Sequence, residues 1–463
     1  MNTECKGHGR WRLLWSLYTV LLIVIAFIAG IAITGLVHQL YWFCRDGVAY
    51  RRAVLPRRFA LLALAILPWL AVRNAEAGDW PQWRGPARDG VASGEALPDP
   101  LPGSLSRIWN VQVGEGHSSP VVVGDRVYLM ARRADDEYVF SLNASDGSEA
   151  WVYHYPMSYK MNLGARRHGK GPKSTVTVAD GRVYALGISG ALTCLDAASG
   201  EVVWRKRDEG EFGESSPSYG TASSSLVEGG FVIVHVGGEK RGALIAYDRD
   251  NGAEAWRAGD DGPSYASPVL IGTGDAAQIV TFTRETLQGV RNTDGKKLWS
   301  LEFKTSWKQN SITPLFVDGL LVYSGLHREV FAARMNEEGG QPSEAWRNKR
   351  HNLYLSSPVA YRDHLFAFSN RKKGQLVCLD TATGEVKWET EGRMGDNASL
   401  TRVGDTLLVL TTEADLYAVE ASSEKYQELA IWEVADSPTW AHLAIANGRL
   451  YVKDKTSLTC FGF

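Results

Sequence analysis

Residues 192–204 read LTCLDAASGEVVW, and the chain rewrites this stretch along most of its length. The alternation of residues 192–195 suits a strand, a tight turn follows, and a second strand ends on Trp204. Asp196 can accept hydrogen bonds from the backbone of its own turn, and Gly200 can take the left-handed conformation that closes it. Val202, Val203 and Trp204 fit a pleated, half-buried strand. The same Gly-x-x-x-Trp spacing returns at Gly147/Trp151, Gly252/Trp256, Gly295/Trp299 and Gly384/Trp388. Recurrence of one hairpin at this spacing predicts a repeat architecture.

Strand-ending tryptophans at Trp109, Trp151, Trp204, Trp256, Trp299, Trp346, Trp388 and Trp432 follow one another at intervals of 42 to 53 residues. Each interval holds four short alternating segments with turn signals between them. Around Cys194 these are 174–178, 183–187, 191–195 and 202–205, with Asp180-Gly181 at one turn. That period and strand count predict an all-β, eight-bladed β-propeller of four-stranded antiparallel blades. The last unit, 440–463, has three strands and no closing Trp, while Trp109 in RIWNVQV has no three strands before it. An N-terminal strand is therefore expected to complete the last blade and close the ring, which removes an open sheet edge. A large indole at one place in every outer strand is expected to pack between neighbouring blades. Blades five and seven replace the short turn with 336–343 and 421–429, read as local decoration.

The chain has 463 residues, 44% hydrophobic and 22% charged, with a formal net charge of −2. No basic footprint exists for a duplex, so nucleic acid is excluded as a principal partner. Of the five cysteines, Cys194, Cys378 and Cys460 share one repeat position and read as small core residues. No CxxC, CxxCH or adjacent Cys pair occurs, so neither a metal nor a redox site is expected.

Before the repeats lie two apolar runs. Residues 13–43 carry no charge other than His38 and have aromatics at both ends, long enough to span a bilayer. Residues 59–72 follow Arg51, Arg52, Arg57 and Arg58 and lead into Ala75-Glu76-Ala77, the form of a secretory signal peptide. The domain reading is thus 1–53 as a membrane helix or a mis-assigned start, 54–77 as a signal peptide or second anchor, 78–107 as a WPQWRGP segment packing on the propeller, and 108–463 as the propeller. An exported protein follows, periplasmic or cell-envelope, with membrane association through 13–43 if that segment is retained.

In a propeller, the connection from one blade's outer strand to the next inner strand crosses one face, and long loops on a rigid scaffold concentrate function. The 155–173 connection carries Lys160, Arg166, Arg167, His168, Lys170 and Lys173, and 304–310 adds Trp307. The acidic 207–219 connection, with Asp208, Glu209, Glu211 and Glu214, is the neighbour the basic loop could pair with instead. Inner strands begin on Ser119, Thr175, Ser224, Ser267, Thr313, Ser357, Ser399 and His442. Such residues could ring the channel mouth, or bond to nearby backbone as small hydroxyls do. Lys160, Arg166, Arg167, His168, Lys170, Lys173, Trp307, Trp440 and His442 form the candidate partner or ligand face. No residue is assigned to catalysis, cofactor or metal.

The repeats LTCLDAASGEVVW and LVCLDTATGEVKW, with SSPVVVGDRVYL, resemble the quinoprotein-alcohol-dehydrogenase-like propellers, in particular their exported PQQ-like repeat proteins. The segment Trp80-Pro81-Gln82-Trp83-Arg84-Gly85-Pro86-Ala87-Arg88-Asp89-Gly90 is similar to one that heads many of them. The resemblance covers about 79–463 and implies the fold more than the function. One branch, similar to BamB, implies a non-catalytic scaffold with envelope-protein partners and no cofactor. The other implies a dehydrogenase holding pyrroloquinoline quinone on calcium, for which no ligand constellation is recognisable here. A carbohydrate-binding propeller using Trp307 and Trp440 is the third reading, without a clear carboxylate pair.

Overall fold

The computed structural model describes residues 78–463 apart from 208–210, 213–215 and 337–339. The two N-terminal apolar runs and Asp208, Glu209 and Glu214 lie outside the described residues. Among those described, no helix is long and apolar enough to cross a membrane.

Thirty-two strands form eight four-stranded antiparallel sheets, seven of them pairing their strands in sequence order. Blade 1 comprises Val121–Val123, Arg126–Arg133, Asp136–Asn143 and Glu149–Pro156, called strands A to D from the channel outward. Blades 2 to 7 repeat this over 177–206, 226–258, 269–302, 315–348, 359–389 and 398–433. Blade 8 takes three strands from 444–462 and its fourth from Ser106–Gln112, which pairs antiparallel with Ser457–Gly462. The first and last strands thus share one sheet.

The core lies between blades. Tyr184, Leu186 and Cys194 of blade 2 pack on Val232, Val234 and Ile245 of blade 3, and comparable clusters fill the other junctions. Strand pairing explains the shared cysteine position. Cys194 faces Trp204, Cys378 faces Trp388 and Cys460 faces Trp109 across strands C and D. Ser141, Ala246, Gly289 and Ala332 hold the same place opposite a Trp, so the indole selects a small neighbour. Burial pushes all three thiols up, to about 12 for Cys194 and Cys378 and about 11 for Cys460, which leaves them unreactive.

Each indole also reaches beyond its own blade in most cases. Trp151 Nε1 donates to the Ala197 carbonyl at the next blade's C–D turn at 2.9 Å. Trp109, Trp204, Trp256, Trp346 and Trp388 make the same bond to Ala144, Arg249, Asn292, Thr381 and Ser422. Gly200, at φ 76°, presses its turn on Trp151, where a Cβ would lie 2.6 Å from the ring. The opening hairpin is therefore half of a joint: its Trp reaches forward and its Gly receives the Trp behind.

Two junctions differ. Trp432 faces Leu416, two pairs further along the strand, and donates to the Pro102 carbonyl, which replaces the turn that blade 8 lacks. Trp299 stays within its own blade, bonding Gln278 Oε1 at 2.6 Å.

Residues two positions before most inner strands link neighbouring blades at five of the eight junctions. Ser119 N–H donates to Thr175 Oγ1, Thr175 N–H to Ser224 Oγ, Ser224 N–H to Ser267 Oγ and Thr313 N–H to Ser357 Oγ. His442 N–H closes on Ser119 Oγ at 2.9 Å. Each such hydroxyl satisfies a buried backbone donor of the blade behind it, a use that any larger side chain would obstruct.

Candidate functional site: an axial funnel above a plugged channel

Residues 78–92 enter the channel from the A–B hairpin side. Trp80 bridges to Val122 of blade 1, and Val178 of blade 2 donates to the Pro81 carbonyl. Arg88 reaches the Ser224 and Ser225 carbonyls of blade 3 and the Pro268 carbonyl of blade 4. Trp83 Nε1 donates to Thr313 Oγ1 of blade 5 at 2.9 Å, and Arg84 Nη2 to the Pro358 carbonyl of blade 6 at 2.5 Å. Val91 bridges to Arg402 of blade 7, and the Trp83 ring lies 4.3 Å from that of His442 in blade 8. One short segment thus touches all eight blades.

The two guanidiniums are 1% and 3% exposed. Burial lowers Arg84 to about 10, against the pull of Asp89, and Arg88 to about 9, so both stay charged at neutral pH. Backbone carbonyls rather than carboxylates compensate Arg88, and the planar fork lets one side chain serve two blades. Trp80 Nε1 and Arg84 Nη1 have no partner.

On the other side of Trp83 the channel opens as a funnel, continuous with solvent, with a cavity volume of ≈ 140 Å³. Such a space admits an inserted side chain or one end of a small ligand. Trp83 and His442 form its floor. The walls come from the D–A connections: His117, His168, Lys173, Tyr219, Tyr265, Gln309, Tyr354 and Trp440. His117 stacks on Trp440 at 5.8 Å, and His168 meets Trp440 edge-on at 4.9 Å. Tyr354 donates to Gln309 Oε1.

All three imidazoles are held neutral. Burial, helped by Arg84, lowers His442 to about 3; burial, with Arg167 and Lys173, lowers His168 to about 4; burial lowers His117 well below the usual range. His168 Nε2 accepts from Arg167 Nε at 3.2 Å, which places the ring proton on Nδ1. Burial also lowers Lys173 to about 8, opposed by the Glu137 carboxylate. Among the described residues, no carboxylate lines the funnel.

Of the residues singled out in the sequence, the fold brings His168, Lys173, Trp440 and His442 together here. Arg167 sits at the rim, its guanidinium 5.4 Å from the Trp440 ring centre and 3.7 Å from Asp396 of another connection. Lys160, Arg166 and Lys170 are exposed on the same loop. Trp307 is 82% exposed and does not line the funnel, so Trp307 and Trp440 form no joint platform there. Glu211 of the acidic connection pairs with Arg257 of blade 3.

His117, Tyr219, Tyr265, Gln309 and Tyr354 were not among the sequence candidates. A signal for most of the wall exists in the register. Two residues before each strand-starting position stand His117, Lys173, Ala222, Tyr265, Ser311, Leu355, Asn397 and Trp440, and all but Asn397 line the funnel. A spacing of two returns the side chain to the same side of an extended chain.

Calcium-held quinone requires a cluster of oxygen ligands, six to eight for the ion. The funnel offers no carboxylate, and among the described residues no group of three or more His, Cys, Asp or Glu could hold a metal. The donor set does not fit that group.

Comparison with known proteins agrees with the architecture. The outer membrane protein assembly factor BamB of Yersinia pestis is 24% identical over 246 residues, 48% of this chain; the chain spans 57% of that relative's length. The quinohemoprotein alcohol dehydrogenase of Comamonas testosteroni is 28% identical over 311 residues, covering 66% of this chain and 37% of the enzyme. The crystal structure of BamB from Moraxella catarrhalis superposes with a TM-score of 0.56 at 16% identity, covering 78% of this chain and 98% of that one, a likeness of fold. The family described as outer membrane protein assembly factor BamB matches residues 157–390, just over half of the sequence, and the chain belongs to that family.

Proposed function

We propose that this protein is an exported, non-catalytic propeller that binds protein partners in the cell envelope through its D–A loop face. One observation carries the reading. The two most exposed large apolar side chains among the described residues, Trp307 at 82% and Leu163 at 75%, both stand on D–A connections around an open funnel. Exposed aromatic and aliphatic anchors on a rigid frame are what a protein interface uses. The family match supports an envelope partner, and the funnel's chemistry supports binding over catalysis. A general base works best with a pKa near the operating pH, and the three imidazoles here are held far below it.

The test is proximity crosslinking in envelope extracts, with the probe placed next to Trp307, in wild type and in the Leu163→Ser/Trp307→Ser double variant. The expected result is a discrete adduct in wild type that falls at least about tenfold in the double variant, as loss of two anchors implies. An adduct of unchanged yield would remove this face as the docking surface.

The quinohemoprotein relatives give the second reading, a quinone-dependent dehydrogenase. Titration with quinone and calcium, followed by absorbance, thermal shift and dye reduction, separates the two. Stoichiometric binding with dye reduction would replace the scaffold reading.

A further inference from the structure

The funnel is chemically one-sided. Its walls are mostly aromatic, its polar groups are neutral imidazoles, phenols, an amide and the Ser311 hydroxyl, and its one charged lining residue among those described is Lys173. No ion pair to Lys173 occurs among the described residues, and its only recorded hydrogen bond is a long one, 3.4 Å to the Gly169 carbonyl. The carboxylate that opposes the lowering of Lys173 is Glu137, and it is already engaged. Its Oε2 accepts from Tyr155 at 2.8 Å and its Oε1 from the Ile188 N–H at 2.9 Å. An ammonium that is half-buried, in a cup without a carboxylate, is an incomplete pair.

We propose that the funnel binds a carboxylate carried on a flat apolar body, with Lys173 as its counter-ion and the stacked Trp440 and His117 as its wall. The assignment rests on the D–A loop face being the working face and names the chemistry received at its centre. A neutral aromatic would leave Lys173 unpaired. A cation such as a quaternary ammonium, which aromatic cages otherwise favour, would meet Lys173 in the funnel and Arg167 at the rim. A hydrated divalent cation would find no carboxylate. Two sources supply the fitting chemistry, a free small carboxylate and the C-terminal residue of a polypeptide.

The probes are N-acetyl-phenylalanine, its carboxamide, a ten-residue peptide ending in the same free residue, and choline, each titrated calorimetrically into the full-length protein. The acid and the peptide are expected to bind. The amide and choline are expected to bind at least about tenfold more weakly, the usual worth of a charge-assisted hydrogen bond. Tighter binding of the peptide assigns a chain end as the source, and equal binding assigns a small molecule.

Lys173→Met should lose about tenfold for the acid, and Lys173→Arg should recover part of it. Affinity for the acid should fall as pH rises through about 8, where the Lys173 ammonium is lost, and Lys173→Met should abolish that dependence. The groups facing Lys173 are Glu137, His117 and His168, with Lys453 beyond His117. Both imidazoles titrate far below this window. Equal affinity for acid and amide, or tighter binding of choline, would overturn the proposal. If acid and amide bind alike while crosslinking at Trp307 remains sensitive to the double variant, the funnel proposal alone fails. If acid binding holds and crosslinking does not respond, the docking reading alone fails.

Discussion

The two ends of one channel are built on opposite principles. Toward the A–B hairpins the axis is occupied by the protein's own residues 78–92, with two buried guanidiniums spent on backbone carbonyls of three blades. Toward the D–A loops the axis is left open, and the half-buried ammonium of Lys173 has no ion-pair partner among the described residues. The first arrangement uses charge to hold a ring together. The second holds charge in reserve, which costs stability and makes sense only if something else arrives to use it. Trp83 and His442 are the boundary between the two.

The comparison breaks most easily at Arg88. Arg88→Met keeps the stem but strands the carbonyls of Ser225 and Pro268. The expected loss is at least about 3 kcal/mol, from several charge-assisted bonds to buried acceptors. Arg88→Lys should recover little, since a point charge cannot span two blades. Chemical denaturation measures both. A loss under about 0.5 kcal/mol for Arg88→Met would mean the segment lies on the ring without holding it.

A smaller effect is expected at the blade joints. Gly200→Ala forces a Cβ to 2.6 Å from the Trp151 ring at a φ of 76°. A cost of about 1–3 kcal/mol follows from overpacking and the left-handed backbone together. Trp151→Phe should cost about 1 kcal/mol by removing the stronger of the two bonds to the Ala197 carbonyl, which keeps the 3.2 Å bond from the Tyr128 hydroxyl. In Trp299→Phe the acceptor that loses the indole is instead Gln278 Oε1 of the same blade. Unfolding transitions of the two Phe variants test whether the joint between blades 4 and 5 stands apart. Equal coupling between blades in both would show that it does not.

The ring was legible because its physics is local and repeated. Asp196 and Gly200 make a turn whatever surrounds them, alternation sets each strand, and eight tryptophans count the blades. Trp432 shows the limit: its spacing of 44 residues looks ordinary, yet it faces Leu416 instead of the small partner its counterparts have. Only pairing register reveals that. The candidate site was half legible. Lys173, Trp440 and His442 stood out by type, whereas Tyr219, Tyr265 and Tyr354 are unremarkable until three separate loops bring them around one axis. The position two before each strand start would have found Tyr265 and His117. Tyr219, five residues before Ser224, follows no such rule and sits in the turn in which Gly220 N–H donates to the Pro217 carbonyl.

Acid separates the channel boundary from the rest of the structure. Fully buried His442 has its folded pKa lowered to about 3, so between pH 6.5 and that value the unfolded chain binds the extra proton. Its contribution is complete above 6.5 and declines as pH falls. At pH 5, still above the ordinary carboxylate range, the loss is about 2 kcal/mol for such an imidazole. His442→Gln should flatten the decline between pH 6.5 and 5, with His168 and His117 contributing the slope that remains. A parallel decline in wild type and variant would place the ring of His442 in water.

The smallest expected change in stability is the most informative about the open end. The folded state lowers Lys173 from 10.5 to about 8, so the unfolded chain binds more protons between those values and stability rises with pH across that window. Below pH 8 the protein carries the full cost of holding an ammonium in the funnel. Lys173→Met removes a charge that no carboxylate answers, so at pH 7 it should leave stability unchanged or raise it, and above 10.5 the gain should vanish. Denaturation midpoints at pH 7 and across the alkaline limb measure this. A destabilised Lys173→Met protein would mean that Lys173, like Arg88, already has its partner inside the fold, and the contrast between the two ends of the channel would disappear.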